Sequence, residues 1–225
     1  MIDADQIKKI VAKRALDFVI PHMKVGLGSG STTAEFIKLL GHKVKEGLKI
    51  EAIAASIESE NLAKSFNIPL NPQLTSCDIY FDGADEIDEQ KNCLKGLGRA
   101  LFREKILASM SKQIVILVDE SKKSRILQRC PLVCEILPFG HEATFLHIKK
   151  LGLNGHFRTD SHKKMVITDN GNYLLDIHLD SPINEPAKLQ SSLKHIPGVL
   201  ETGLFFNCVN KILIGLKEGE VIIYE

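Results

Sequence analysis

Three segments of the sequence carry residue types that can bind and transform a small polar molecule. The first is Gly26-Leu27-Gly28-Ser29-Gly30-Ser31-Thr32-Thr33, at a predicted junction between a strand and a helix. Closely spaced glycines let the backbone approach a ligand, and the N–H groups at the start of the helix attract an anion. We therefore predict a phosphate-binding turn, although the segment lacks the third glycine of a dinucleotide-binding fingerprint and the lysine of a P-loop. The alternative is an ordinary tight turn in which Ser31 or Thr32 caps the helix.

The second segment is acidic and directly follows the predicted strand Ile79–Phe81. It reads Asp82-Gly83-Ala84-Asp85-Glu86-Ile87-Asp88. Carboxylates this close repel one another unless cations, hydrogen-bond donors or a ligand stabilise them. Calcium is one candidate, but the spacing of the oxygen ligands is not that of an EF-hand. A ligand-binding loop and a solvated acidic loop therefore both remain open.

The third segment places a lysine and two glycines before a predicted helix. It reads Lys95-Gly96-Leu97-Gly98-Arg99-Ala100-Leu101-Phe102-Arg103-Glu104-Lys105. At 100° per residue, Phe102, Ile106 and Met110 share one face of the helix, and Glu104 lies roughly opposite. We therefore expect Glu104 to lie outside the core, either as a reactive carboxylate or as a solvated helix residue.

Composition limits the classes of protein that these segments can serve. Among 225 residues, 44% are hydrophobic, and 29 Lys and Arg balance 28 Asp and Glu, so we expect no general attraction to nucleic acid or to a membrane surface. The longest apolar run, Ile114–Val118, is too short to span a bilayer. The first twenty residues lack the hydrophobic stretch of a signal peptide. Five cysteines without a C-x-x-C pair indicate reduced thiols, and His141-Glu142 with His147 lacks metalloprotease spacing, so we expect a cytoplasmic protein without a metal or other cofactor.

The order of the predicted elements gives the fold class. Helices are predicted at 5–19, from Thr32 or Thr33 onward, at 58–66 and at 100–110, and they alternate with strands at 24–28, 48–55, 77–81 and 114–118. This order favours an α/β fold, a Rossmann-like parallel sheet whose ligands collect at the carboxyl ends of the strands.

The pattern changes after Pro131. Predicted strands at 134–137, 165–168, 173–178 and 199–204 and helices at 142–151 and 187–195 follow the βαββαβ order of a smaller ferredoxin-like α+β domain. The turn Asp169-Asn170-Gly171-Asn172 predicts a hairpin between the two middle strands. We therefore predict a catalytic domain of residues 1–130 and 206–225 with an insert of residues 131–205. The final strands are expected to return to the first sheet or to close its edge.

Taken together, the three segments resemble one known family. In wording, spacing and order, V-G-L-G-S-G-S-T, D-G-A-D-E-I and K-G-x-G-x-A-L-x-R-E-K are similar to the ribose-5-phosphate isomerases of the A type. The similarity covers the whole chain, including Val118-Asp119-Glu120-Ser121-Lys122 and the V-I-T-D-N-G-N hairpin at 166–172. It implies a metal-free aldose–ketose isomerase of the non-oxidative pentose phosphate pathway. It also implies a sugar phosphate as partner and a homodimer or homotetramer.

The resemblance also implies the site residues, which we expect to meet in one pocket. The implied catalytic residues are Glu104 as general base, with Asp82, Asp85 and Lys95. The implied substrate-binding residues are Ser29, Gly30, Ser31, Thr32, Asp82, Gly83, Ala84, Asp85, Lys95, Gly96, Leu97, Gly98 and Lys122. Lys95 and the N–H groups of residues 96–98 would stabilise an enediolate. The two aspartates would bind sugar hydroxyls, and their separate roles stay open.

Two departures from the family pattern bear on this interpretation. Leu97 and Arg99 interrupt a loop that is often richer in glycine, and a positive φ at Leu97 would strain it by about 1 kcal/mol or more. The loop Ser56-Ile57-Glu58-Ser59 is poorer in hydroxyl groups than expected and is left out of the predicted site. A non-catalytic sugar-phosphate-sensing domain is the alternative function. A repressor of that kind needs a helix-turn-helix ahead of the sheet, where only about 23 residues precede the first strand.

Overall fold

The computed structural model describes residues 2–225, which divide into two units. The first unit contains the described residues up to 84, with residues 103–123 and 208–225. The second contains residues 85–102 and 124–207. Across residues 2–225, no helix has both the length and the apolar character needed to cross a membrane.

Six α-helices and thirteen β-strands occur in the described chain. The helices are α1 (Ala4–Ala15), α2 (Ser31–Lys45), α3 (Ile57–Ser65), α4 (Leu101–Ser109), α5 (His141–Lys150) and α6 (Pro186–Lys194). The strands are β1 (Lys24–Leu27), β2 (Glu51–Ala54), β3 (Ile79–Asp82), β4 (Glu86–Ile87), β5 (Cys93–Leu94), β6 (Ile114–Asp119), β7 (Leu132–Ile136), β8 (Asn154–Phe157), β9 (Tyr173–His178), β10 (Val199–Thr202), β11 (Leu204–Phe205), β12 (Lys211–Gly215) and β13 (Val221–Tyr224).

The first unit contains the predicted parallel sheet. Its strand order is β13-β12-β6-β3-β1-β2, and every pair is parallel except the antiparallel pair of β12 and β13. Strands β3 and β6 are buried almost throughout, because a parallel sheet buries both faces of its strands. The α/β prediction is confirmed, and the last two strands return to this sheet as expected. Because the parallel strands share one direction, their carboxyl ends lie along one edge.

In the second unit, the elements β7, α5, β8, β9, α6 and β10 follow one another along the chain, which is the βαββαβ order that the sequence predicted. The four strands form an antiparallel sheet in the order β10-β7-β9-β8. A smaller antiparallel sheet of β11, β5 and β4 belongs to the same unit. The apolar core of the larger sheet includes Leu132, Ile148, Leu175 and Leu193.

One predicted strand of this unit was wrong. On the side away from β7, β9 pairs with β8, whereas the predicted strand at 165–168 forms only isolated bridges, from Met165 to Thr159 and from Ile167 to Tyr173. The sequence of β8 hides its conformation, because Gly155 is not typical of strands. A Cβ at Gly155 would lie 2.1 Å from the carbonyl oxygen of Asp176, so the close pairing of β8 with β9 requires glycine there.

The second unit is larger than the predicted insert of residues 131–205. It also includes residues 85–102, because β4 and β5 pair with β11. It includes residues 124–130 as well, because the Glu86 carboxylate accepts hydrogen bonds from the backbone N–H groups of Gln128, Arg129 and Cys130. These contacts join segments that are distant in the chain, and a boundary drawn from element order does not include them.

Candidate active site

In the first unit, four neighbouring strands each end at or just before a polar residue, at one edge of the sheet. Ser29 follows β1, Ser56 follows β2, Asp82 ends β3, and Lys122 follows β6. Since these four strands are parallel neighbours, their carboxyl ends lie side by side. This is the edge at which parallel α/β sheets bind ligands.

The glycine-rich turn leads into α2 without a side-chain cap. Helix α2 begins at Ser31, its N-cap is Gly30 at a φ of 99°, and no capping hydrogen bond comes from a side chain of residues 2–225. The alternative in which Ser31 or Thr32 caps the helix is therefore wrong. A Cβ at Gly30 would meet no atom within 4 Å, so the space beside the turn is open. The first N–H groups of a helix lack intrahelical acceptors, and here they suit an anion.

Gly26 and Gly28 make room for two side chains of the neighbouring strand. A Cβ at Gly26 would lie 2.8 Å from the ring of Tyr80, and one at Gly28 would lie 2.2 Å from Oδ1 of Asp82. Gly26 pairs with Tyr80 in the register of β1 and β3, and the N–H of Gly28 donates to the carbonyl oxygen of Phe81. These two glycines are therefore required by the packing of Tyr80 and Asp82 as well as by any approach of a ligand.

Asp82 is buried and held by hydrogen bonds to its carboxylate. Its Oδ1 accepts from the N–H of Ser29 at 3.0 Å and from that of Gly83 at 2.8 Å, and its Oδ2 accepts from the hydroxyl of Tyr80. Burial, followed by the charges of Asp82 and Glu104, raises the pKa of Tyr80 well above its ordinary value. Tyr80 therefore stays protonated as a donor to Asp82, and Glu104 lies close enough to act on it electrostatically.

Tyr80 was missed in the sequence, although a signal was present. In a strand, residues i and i+2 point to the same face, so Tyr80 and Asp82 had to share one. A tyrosine two residues before a buried aspartate is a ready donor to it.

The prediction for the face of α4 was wrong. Glu104 is buried, with 3% of its surface exposed, whereas Ile106 is 51% exposed. The buried residues of the helix are Leu101, Glu104, Leu107 and Ala108, which follow the i, i+3, i+6, i+7 spacing of one face. The carboxylate therefore occupies a position on the buried face of the helix. Burying a charged group is unfavourable, so solvation cannot explain a carboxylate at such a position.

A chain of hydroxyl groups supports the glycine-rich turn from the loop after β2. Ser29 Oγ and Ser56 Oγ share a hydrogen bond of 3.3 Å, and Ser56 Oγ donates to Ser59 Oγ at 3.0 Å. Ser59 Oγ then donates to the carbonyl oxygen of Gly28 at 2.6 Å. Ser56 and Ser59 were left out of the predicted site, and the structure brings both against the turn.

Lys122 ends a short 3₁₀ turn, Glu120–Lys122, that follows β6. The turn begins with Asp119, whose side chain accepts from the N–H of Ser121 at 2.9 Å. Lys122 itself is partly exposed. The structure therefore places its positive charge at the same edge of the sheet as Ser29 and Asp82.

The predicted site residues from Lys95 to Gly98 belong to the second unit, where they form the loop after β5, and Asp85 of the same unit lies just before β4. Lys95 is only 4% exposed, its N–H donates to the carbonyl oxygen of Gly203 at 2.8 Å, and its ammonium lies 5.6 Å from the centre of the Phe205 ring. Oδ2 of Asp85 accepts from the N–H of Leu97 at 2.9 Å. Asp85 therefore orders the loop that contains Gly96, Leu97 and Gly98.

The positive φ angle that would strain Leu97 is found at two other residues of this loop instead. The positive φ angles are those of Gly96, at 121°, and of Arg99, at 65°, while Leu97 keeps an ordinary φ. Gly96 also packs closely, because a Cβ there would lie 2.8 Å from Cβ of Val133. The branched side chain of Leu97 thus enters the loop without backbone strain.

Two carboxylates of the acidic segment have structural partners. Glu86 is buried, and its pKa is lowered overall. Burial by itself raises the pKa, but this effect is outweighed by hydrogen bonds from the backbone of Cys130, Arg129 and Gln128 and from the side chain of Ser124. Asp88 accepts from Gln90 and Asn92. No group of three or more His, Cys, Asp or Glu side chains is arranged to hold a metal ion within residues 2–225.

Comparison with known proteins agrees with the fold. Residues 51–219 match the family model described as ribose 5-phosphate isomerase A (phosphoriboisomerase A). The ribose-5-phosphate isomerase A of Picrophilus torridus is 45% identical over 212 residues, which cover 94% of each chain. The solved ribose 5-phosphate isomerase of Plasmodium falciparum has a TM-score of 0.95 at 36% identity, with 98% of each chain covered.

A further solved structure carries a ligand. It is a D-ribose-5-phosphate isomerase in complex with phospho-erythronic acid, with a TM-score of 0.94, 37% identity and full coverage of both chains. The chain described here belongs to the ribose 5-phosphate isomerase A family, and it is an isomerase.

Proposed function

We propose that this chain interconverts D-ribose 5-phosphate and D-ribulose 5-phosphate through an enediolate, with Glu104 as the general base. Membership of the family supports the reaction. The observation that carries the proposal is a buried carboxylate, Glu104, whose charge helps to raise the pKa of Tyr80, in the unit that also offers a helix N-terminus without a side-chain cap. A sugar phosphate requires both an anion site and a base.

The phosphate group is proposed to bind at the turn Ser29–Thr32. The N–H groups at the start of α2 would donate to its oxygens, and the positive charge of Lys122 at the same sheet edge would add attraction. The hydroxyl chain from Ser56 and Ser59 would keep the turn in place.

The proton transfer is proposed to involve one carboxylate twice. Glu104 takes the hydrogen on C2 of the open-chain aldose as a proton, the C–H electrons form a C1–C2 double bond, and the electrons of the C1 carbonyl move to its oxygen. Glu104 then returns the proton to C1, while the hydroxyl proton on O2 moves to O1 and leaves a ketone at C2. Asp82 or Asp85 is the candidate carrier between the two oxygens. A positioned general base of this kind contributes about 10²- to 10⁴-fold to the rate.

Negative charge on the enediolate oxygens needs donors that are already in place. Lys95 and the backbone N–H groups of residues 96–98 are the proposed donors. The burial of Lys95 supports this role, because an ammonium group interacts more strongly with an oxyanion when water is excluded. Asp82 and Asp85 are also proposed to bind sugar hydroxyls, in addition to the hydrogen bonds that their carboxylates accept from the backbone N–H groups of Ser29 and Leu97, respectively.

The experiment that tests the proposal measures ketose formation from ribose 5-phosphate, with other phosphorylated pentoses and hexoses as controls. Glu104→Gln keeps the size and polarity of the side chain but removes the base, so kcat should fall by about 10²- to 10⁴-fold while substrate affinity is kept. Thr32→Val should instead raise KM more than it lowers kcat. A Glu104→Gln enzyme that retains a substantial kcat contradicts the assignment of the base, and an inactive wild type contradicts the reaction.

The wider context of the reaction is also proposed. We place the enzyme in the non-oxidative pentose phosphate pathway, in the cytoplasm and as a homodimer or homotetramer, without nucleic-acid or membrane partners. None of the five cysteines of the described chain forms a disulfide, which suits a reducing compartment. The chemistry is proposed to be metal-free, so EDTA dialysis should leave activity intact, and loss that a divalent ion restores would contradict this. Light scattering of the purified protein tests the oligomer.

A further inference from the structure

Arg158, which immediately follows β8, reaches the loop after β5 with its guanidinium group. Its Nη1 donates to the carbonyl oxygen of Gly96 at 2.9 Å and to that of Leu97 at 3.2 Å. Both acceptors lie in the loop whose N–H groups are proposed to stabilise the enediolate. The contact joins residues about sixty positions apart in the chain, and the sequence offers no motif that predicts it.

Asp176 of β9 holds the other side of the same guanidinium group. Nε of Arg158 donates to Oδ2 of Asp176 at 2.9 Å, and Nη2 donates to Oδ1 at 2.5 Å. The two side chains are only 15% and 11% exposed, so this is a largely buried, bidentate pair. A buried pair adds little net stability, since desolvation offsets its attraction, but its fork geometry fixes where the remaining N–H groups point.

Arg158 contacts two successive peptide groups, and the carbonyl oxygen of the first also accepts a turn hydrogen bond from the N–H of Arg99 at 3.1 Å. In a planar trans peptide, the carbonyl oxygen and the N–H of the next residue point in opposite directions, and no cis peptide occurs in residues 2–225. The Gly96–Leu97 peptide is held at both ends, by Arg158 at its oxygen and by Asp85 at its N–H. The Leu97–Gly98 peptide is held at its oxygen, so the N–H of Gly98 points away from Arg158. Gly98 itself is exposed.

We propose that Arg158, backed by Asp176, is a positioning residue that helps to fix the peptide planes of residues 96–98 and thereby the direction of the N–H of Gly98, one of the donors proposed for the enediolate. The inference rests on the proposed function, because it assigns a transition-state role to a loop of that site. Arg158 itself touches no reacting atom. It acts through the carbonyl oxygens of Gly96 and Leu97, which remain acceptors only while the loop keeps this conformation.

The test compares Arg158→Met with Lys194→Met, a matched control in the same unit. Lys194 also pairs with a carboxylate, Glu201, and its ammonium also donates to a backbone carbonyl, that of Leu200, but it makes no contact with the loop. Arg158→Met should lower kcat about 10- to 100-fold with KM for ribose 5-phosphate changed by less than about threefold, because the lost donor geometry acts on the transition state. Lys194→Met should leave both constants close to those of the wild type.

Ligand binding separates a positioning role from a merely structural one. Phospho-erythronic acid carries a carboxylate, whose two charged oxygens resemble those of an enediolate, as well as a phosphate group. Its Kd should rise in Arg158→Met by about the factor by which kcat/KM falls, whereas the inhibition constant of inorganic phosphate should not change. Arg158→Lys should not rescue kcat, since one ammonium cannot hold Asp176 and both carbonyl oxygens in the geometry of the fork.

The outcomes divide as follows. An unchanged kcat in Arg158→Met, or equal weakening of phosphate and phospho-erythronic acid, overturns the positioning role. If Arg158→Met does not fold, Asp176→Asn replaces it and should give a smaller kcat loss with the same selectivity between the two ligands; uniform weakening again overturns the role. A wild-type protein without isomerase activity overturns the proposed function instead, and the two failures are thus distinguished.

Discussion

Replacing Gly28 by alanine should displace the Asp82 carboxylate. The added Cβ would lie 2.2 Å from Oδ1 and 2.3 Å from Cγ of Asp82. Ordinary contact begins at 3.4 Å, so the carboxylate has to move by about 1 Å. That movement breaks or stretches its hydrogen bonds with the N–H groups of Ser29 and Gly83, which are now 3.0 and 2.8 Å long.

The expected loss of stability has two parts. Overpacking a buried position costs about 1–3 kcal/mol. Weakening hydrogen bonds to a buried carboxylate adds about 1–2 kcal/mol. The free energy of unfolding should therefore fall by about 2–5 kcal/mol, which at an m value of about 3 kcal/mol/M lowers the urea midpoint by about 0.7–1.7 M.

Gly83→Ala is the matched control, one residue after Asp82. A Cβ at Gly83 would lie 3.8 Å from the carbonyl oxygen of Ser29 and 3.9 Å from that of Leu117, which are ordinary contacts. Its free energy of unfolding should stay within about 1 kcal/mol of the wild type. Urea unfolding followed by circular dichroism measures both variants. Equal midpoints for Gly28→Ala and Gly83→Ala would refute the argument that Gly28 is glycine to make room for Asp82.

Three other residues give predictions of the same kind. Tyr80→Phe removes the hydroxyl donor to Asp82 and should cost about 1.5–3 kcal/mol of unfolding free energy and lower kcat; a variant with wild-type stability and turnover contradicts the role of this bond. Glu86 has a lowered pKa, so its stabilisation is present above its ordinary pKa and is lost as the pH falls through the lower native value. Glu86→Gln should therefore be less stable at pH 7 by about 1–3 kcal/mol and should lose less stability on acidification than the wild type, and parallel pH profiles would contradict this. Burial raises the pKa of the Cys77 thiol, so thiol reagents at pH 7 should modify it only after unfolding; rapid labelling of its peptide in the native protein, seen by mass spectrometry, would contradict its inert state.

Much of the fold could be predicted because its signals are local. The buried strands β3 and β6 are short apolar runs, and the alternation of strands and helices defines a parallel sheet. The errors arose where a conformation depends on distant contacts. Strand β8 reads as Asn-Gly-His-Phe and becomes a strand only because β9 pairs with it. The contacts of Glu86 with residues 128–130 likewise add segments to the second unit that chain order does not group.

The candidate site could be predicted by type of residue more readily than by geometry. The glycine-rich turn and Asp82 lie at the carboxyl edge of the sheet as expected, because parallel strands end there. The burial of Glu104 could not be predicted from helical periodicity, since a pattern of apolar residues assigns a carboxylate to the solvent side by default. Arg158 was missed for a different reason. Its role depends on hydrogen bonds to carbonyl oxygens, and these leave no trace in the residue types of the loop that accepts them.

The first glycine-rich segment shows how one motif can serve two physical requirements. Gly30 leaves α2 without a side-chain cap and lies beside open space, which suits an anion. Gly26 and Gly28 instead face Tyr80 and Asp82, where any Cβ would collide. A glycine-rich turn at a strand end therefore cannot be attributed to ligand approach alone, because the neighbouring strand imposes the same residue. The two causes are separable by substitution: alanine at Gly28 should act first on stability through Asp82, whereas alanine at Gly30, where φ is positive and space is free, should act through the backbone of the anion site.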